Sequence, residues 1–238
     1  MVSKNQQKQI QQLKQKKYRQ QSGMFVVEGL KSVQEFWDMG WQAQYIFTTL
    51  EDTIFPATVL SQNEMQKITH LNSPSPALAV FEMPDAGGLK RDQPSILLDG
   101  IADPGNLGTI IRLADWFGYH QLVCSIDTVD CYNPKVVQAS MGSLSRIGCF
   151  YTDLNEFIDD HPLAVYATLL QGKSIYTSAL ASKCSFLMGS ESHGIRKALE
   201  SRITEKITIP SAPNSGAESL NVATATAIVL SEHARQQG

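Results

Sequence analysis

The 238-residue chain has no run of about 18 apolar residues, which excludes a transmembrane helix. Its first residues are polar and basic without an apolar core segment, so no secretory signal is expected and a cytoplasmic protein is. Four cysteines, Cys124, Cys131, Cys149 and Cys184, lack CxxC or zinc-ligand spacing; free thiols in a reducing compartment are expected, and no metal. No GxGxxG follows a strand-like run, so a dinucleotide site of that kind is excluded. Residues 1–20 lack acids altogether.

At 42% hydrophobic content the chain can bury a full core in one or two domains. Its net charge of −3 is unevenly spread. Lys4, Lys8, Lys14, Lys16, Lys17 and Arg19 make a basic arm on an otherwise acidic body. Such an arm is either a polyanion-binding element or a solvated helix face. Across residues 3–19 the main apolar points are Ile10 and Leu13, which predicts an amphipathic, weakly anchored helix.

A small α/β unit is expected next. Met24–Glu28 reads as a strand, residues 31–39 as a helix ended by Gly40, Gln44–Thr48 as a strand, Asn63–Ile68 as a helix and Ala77–Phe81 as a strand. The stretch MPDAGGLKRDQP has prolines, paired glycines and no apolar period. It places a boundary between a domain over 1–85 and one over 95–238, with 86–94 as linker. In the second domain SILLD, QLVC, GCFY, LAVYAT, SFLM and KITI read as short strands alternating with helices. That pattern predicts a parallel sheet with ligands beyond the strands' carboxyl ends.

Three loops after those strands stand out. In LDGIADPGNLGTIIRLADWFG, Pro104, Gly105 and Asn106 read as a turn before a helix from Leu107, and Arg112 falls off the helix's apolar face. Arg112 is either solvated or aimed at a cleft. In FLMGSESHGI the spacing lacks the nucleophile elbow of a serine hydrolase. Gly189 and Gly194 suit close backbone approach to a ligand, and Glu191 either caps a helix or binds a cation. In ITIPSAPNSGAESLNVATATAIVL, Glu218, Ser219 and Asn221 meet where a loop becomes a small-residue helix, either as caps or beside a ligand. TLLQG, residues 168–172, ends a strand and is expected to line the same cleft.

Together DPGNLGTIIRLA, GSESHG and ITIP with ESLNVATA resemble the SpoU-type (TrmH-like) RNA ribose methyltransferases of the SPOUT superfamily. The likeness covers about residues 95–235, and SGMFVVEGLKSVQEF is similar to the ribosomal-protein-like α/β domain that binds substrate in many members. The resemblance implies a homodimer, a parallel sheet tied in a deep trefoil knot, and S-adenosylmethionine bound within the knot. It implies catalytic roles for Asn106, Arg112, Glu191, Ser219 and Asn221. It implies cofactor contacts at Thr168, Leu169, Met188, Gly189, Ile209 and Leu220, although Ser211–Ala217 is longer than the corresponding loop of many members. The expected activity is methyl transfer to a ribose 2′-hydroxyl of structured RNA, ribosomal RNA before transfer RNA. A non-catalytic RNA-binding assembly factor is the alternative.

Overall fold

The Gln/Lys-rich start forms two helices rather than one. In the computed structural model, which describes residues 1–84 and 87–238, α1 spans Lys4–Gln12 and α2 spans Lys16–Ser22. Ser3 and Gln6 form a capping box that starts α1. Nor is the arm weakly anchored: Val2, Ile10 and Leu13 are buried in one core with Val26, Phe47, Met65, Ile68 and Val80. Arg19 is buried as well, whereas Lys4, Lys8, Lys14, Lys16 and Lys17 are exposed. Deleting residues 1–20 is therefore expected to unfold this core rather than to trim a surface. A loss of the cooperative melt in the truncated protein would show it; an unchanged melt would refute it.

The chain continues through β1 (Met24–Glu28), α3 (Leu30–Asp38), β2 (Ala43–Thr48), β3 (Thr58–Val59), α4 (Gln62–Ile68) and β4 (Ala77–Glu82). The expected boundary between residues 85 and 86 lies outside the described residues. Next come β5 (Ile96–Asp99), α5 (Pro104–Trp116), β6 (Gln121–Cys124), α6 (Pro134–Ser140) and β7 (Gly148–Tyr151). The chain closes with α7 (Leu154–Asp159), β8 (Ala164–Ser174), β9 (Cys184–Gly189), α8 (Lys197–Glu200), β10 (Glu205–Thr208) and α9 (Val222–Gln237).

Contacts gather these elements into two compact units: Met1–Gly87 with Asp130–Arg146, and Gly88–Val129 with Ile147–Gly238. The first holds a four-stranded sheet in the order β1-β4-β2-β3. β4 is antiparallel to both β1 and β2. Composition groups residues 130–146 with the later strands, yet they pack in this first unit. Arg19 Nη2 meets Asp130 Oδ2 at 2.5 Å, and Tyr132 lies 4.6 Å from the Phe25 ring. The Trp41 indole donates to the Ser145 carbonyl at 3.0 Å, and Arg146 pairs with Glu35.

The second unit holds six strands in the order β10-β8-β9-β5-β6-β7, every neighbouring pair parallel. Its core includes Leu97, Val123, Phe157, Val165 and Leu187. β8 does not stop at Thr168 as its apolar run suggests. β10 pairs first with Tyr166 and Ala167 and then with Lys173 and Ser174, so residues 168–172 make an excursion inside the strand. Gly172 permits it: a Cβ there would sit 2.7 Å from the Lys206 carbonyl oxygen.

Candidate active site

β5, β9, β8 and β10 are parallel and adjacent, so the loops after them emerge at one edge of the second unit's sheet. Asp103 caps α5 by accepting the Asn106 N–H at 2.8 Å, and Pro104 takes the first helical position. Asn106 thus stands in the first turn of the helix, not in a loop before it. Asn221 caps α9, its Oδ1 accepting the N–H groups of Ala223 and Thr224 at 3.0 and 3.2 Å. Between them the loop after β9 presents Glu191.

These three side chains meet. Asn106 Nδ2 donates to Glu191 Oε1 at 2.8 Å, and Asn221 Nδ2 donates to the same oxygen at 2.8 Å. Asn221 Nδ2 also donates to Asn106 Oδ1 at 2.9 Å. Asn221 is therefore both a cap and a member of the cluster, its oxygen serving one role and its nitrogen the other. Glu191 is no helix cap. Its Oε2 has no hydrogen-bond partner among the described residues, which leaves a carboxylate oxygen for a ligand hydroxyl.

The remaining predicted residues stand apart from this contact. Arg112 lies six residues beyond Asn106, about 9 Å along the axis of α5. It is exposed, with no polar partner among the described residues. Ser219 is exposed and makes no hydrogen bond to the cluster. Gly189 does make a close approach, but to its own chain: a Cβ there would lie 2.3 Å from the Gly194 carbonyl carbon. That closeness lets Ser190 and Gly194 exchange backbone hydrogen bonds of 3.1 and 2.9 Å.

Of the predicted cofactor residues, Met188 and Gly189 end β9, Ile209 follows β10, and Thr168 and Leu169 lie at the excursion inside β8. Thr168 follows the Ala167–Leu187 pair of β8 and β9, beside Met188. Leu169 packs on the second unit's core. Ile209 follows β10, whose Thr208 hydroxyl donates to the Leu170 carbonyl at 3.2 Å, and Leu220 is 47% exposed before α9. Thr168 Oγ1 is buried with no hydrogen-bond partner among the described residues. A buried hydroxyl in that state costs free energy that a ligand's polar atom recovers. An orphaned hydroxyl among apolar side chains fits a nucleoside-containing cofactor. Among the described residues no three His, Cys, Asp or Glu side chains group to hold a metal.

Sequence patterns miss a second web beside the cluster. Asp99, 1% exposed, accepts the Arg196 N–H at Oδ2 (2.8 Å) and pairs with the Arg196 guanidinium at Oδ1 (2.8 Å). Arg196 also holds Asp127 at 2.6 Å. A hydrogen bond from Ser125, then the Arg196 guanidinium, hold the Asp127 carboxyl below its usual range. One signal was available: an apolar strand ending in a buried Asp needs a cation.

Residues 93–231 match the SpoU rRNA Methylase family and residues 4–79 the MRM3-like substrate binding domain. The chain is 30% identical over 226 residues to the Bacillus subtilis 23S rRNA (guanosine(2553)-2′-O)-methyltransferase RlmP, covering 90% of each. A solved TrmH-family protein from Porphyromonas gingivalis superposes with a TM-score of 0.90 at 35% identity, covering 99% of each chain. An AdoMet-bound rRNA methyltransferase from Sinorhizobium meliloti does so at 0.85 and 31%, covering 99% of this chain and 97% of that one. Motifs, fold and relatives agree, and the chain belongs to the SpoU rRNA methylase family.

Proposed function

We propose that this protein transfers a methyl group from S-adenosylmethionine to a ribose 2′-hydroxyl of ribosomal RNA. The observation that carries the reading is the meeting of Asn106 from the first turn of α5, Glu191 from the loop after β9 and Asn221 from the cap of α9. S-adenosylmethionine, when bound, supplies an electrophilic sulfonium methyl. Thr168, Leu169, Met188, Gly189, Ile209 and Leu220 hold it, within the knot that the family resemblance implies.

A ribose hydroxyl is a poor nucleophile, so the protein must hold it in line and see its proton removed. Glu191 Oε2 accepts from the ribose, while Asn106 and Asn221 fix the carboxylate. Arg112, with no polar partner among the described residues, clamps the adjoining phosphate in a bidentate pair. The 2′-hydroxyl proton passes to Glu191 Oε2, the oxygen that already accepts from it, as the methyl leaves the sulfonium sulfur. Ser219 orders the loop around the ribose. Arg112→Lys is expected to cut turnover at least tenfold, because an ammonium cannot reproduce the fork. Near-normal turnover with unchanged RNA affinity would remove the clamp.

Lys4, Lys8, Lys14, Lys16 and Lys17 form the electrostatic contact to RNA. Changing Lys8, Lys16 and Lys17 to Gln is expected to reduce the salt slope of binding by roughly 0.7–0.9 per charge removed. An unchanged slope would make them solubilising surface only.

The α5–α9 face carries Leu113, Trp116 at 83% exposure, Phe117, Tyr176 and Ile228, and a second copy of the chain covers it. Trp116→Asp should then yield a monomer in sedimentation. No helix among the described residues is long and apolar enough to cross a membrane, and the cytoplasm is the proposed site of action.

The deciding experiment maps ribose methylation across ribosomal and transfer RNA in cells with and without the gene. Loss of one ribosomal mark is the expected result, and loss of a transfer-RNA mark would move the substrate. No lost mark, with no S-adenosylmethionine binding by calorimetry, would overturn the reading.

A further inference from the structure

The loop that carries Glu191 is exposed, and few contacts hold it. Ser190 and Gly194 staple it to itself, which shapes the loop but does not aim it. Where it returns, Ile195 is buried in the second unit's core and Arg196 ties the chain sideways. There the Arg196 N–H is held by Asp99 Oδ2 at 2.8 Å, and Asp99 ends β5, a buried central strand. The guanidinium continues the tie. Nη2 lies 2.8 Å from Asp99 Oδ1 and 2.6 Å from Asp127 Oδ1, and Asp127 accepts from Ser125 Oγ at 2.7 Å. Ser125 Oγ in turn accepts the Gly100 N–H at 2.8 Å. One arginine thus fastens the loop after β9 to the ends of β5 and β6, and the Gly100 anchor lies six residues before Asn106.

The construction is costly for a purely structural tie. A carboxylate 1% exposed loses nearly all its hydration, a loss that a cation and hydrogen bonds must offset. A hydrophobic side chain could have ended the strand instead. What the tie adds is direction, because Asp99 Oδ2 accepts the Arg196 N–H while Oδ1, with no hydrogen bond among the described residues, stays at ion-pair distance from the guanidinium of the same residue. Misplacing a reacting group by about 1 Å can cost 10²-fold in rate.

We infer that Asp99 and Arg196 are positioning residues for methyl transfer: they aim the Ser190–Gly194 loop so that the Glu191 carboxylate meets Asn106 and Asn221. The role in turnover rests on the methyltransferase reading; the aiming of Glu191 does not.

Two readouts separate these. The side-chain amide resonances of Asn106 and Asn221 report Glu191 without catalysis. In Asp99→Asn they should shift towards their positions in Glu191→Ala. Turnover in Asp99→Asn should fall about 10- to 100-fold with KM for RNA within twofold, and Asp99→Asn should add nothing in a Glu191→Ala background. Arg196→Lys should restore part of the loss that Arg196→Ala shows. If Asp99→Asn does not fold, Asp127→Asn, which loosens the same arginine from the exposed side, should give a smaller shift of the same resonances. Resonances that stay put, or additive losses in the double variant, would overturn the positioning role. Shifted resonances in a protein that methylates no RNA would sink the methyltransferase reading and leave the aiming intact.

Discussion

Arg19→Leu should lower the melting temperature by about 6–20 °C. Arg19 is one of six basic residues in the first twenty, and side-chain exposure of 2% sets it apart. Its Nη1 donates to the carbonyls of Leu13 and Lys14 at 2.8 and 2.9 Å, and Nε and Nη2 reach Asp130 Oδ2 at 3.1 and 2.5 Å. Leucine would fill much of the space but leave two carbonyls and a 14%-exposed carboxylate unmatched. Breaking a buried pair from one side typically costs about 3–5 kcal/mol. For a chain of this length each kcal/mol moves the melt by about 2–4 °C. Lys17→Leu, on the exposed side of α2, should change it little. Arg19→Leu with Asp130→Leu should recover part of the loss, since no charge is then stranded. A single variant that melts within about 2 °C of the wild type would mean that the pair contributes nothing.

Glu191→Ala carries the largest expected loss of activity, about 10²-fold in single-turnover methyl transfer at saturating RNA and cofactor. Both Asn106 and Asn221 donate to Glu191 Oε1, so the change frees two amides at once and removes the uncommitted oxygen offered to the ribose. Glu191 and Asn221 are exposed and Asn106 is half-buried, so stability should shift by less than about 1 kcal/mol, and RNA affinity should hold within twofold. Asn221→Ala should differ in kind. It removes the cluster contact together with the α9 cap, so it should combine a turnover loss with a destabilisation of about 1 kcal/mol. Activity of Glu191→Ala within threefold of the wild type would remove Glu191 from the chemistry.

Local signals made much of the fold legible. QLVC and GCFY are strands with the predicted bounds because each is a short apolar run between turn formers. Pro104 misled the reading of α5: proline suits a turn, but it equally suits the first position of a helix once Asp103 caps it. β8 ran past its apolar segment because the pairing of Lys173 and Ser174 with β10 is decided by a distant strand. The same distance hid the ion pairs. Nothing among six N-terminal cations distinguishes the one whose partner lies 111 residues away, and Asp99 meets Arg196 across 97. The residue pattern alone offered Asn106, Glu191 and Asn221 as separate loop residues, and only the family resemblance grouped them as catalytic. Their meeting, and the distance of Arg112 from it, are tertiary facts.

Residues 130–146 bear on how the molecule is made. Synthesis runs from the N-terminus, so the first unit's eighty-odd leading residues emerge without Asp130 for Arg19, Tyr132 against Phe25, or Arg146 for Glu35. At ~5–20 residues per second, roughly sixty more residues take about 3–12 s to follow. During that interval a guanidinium destined for burial has no counter-charge, and the face of β1 that receives α6 stays open. The nascent first unit is thus a waiting state. A fragment ending at residue 87 would hold that state permanently, a poor choice for isolating the domain that matches the substrate-binding model.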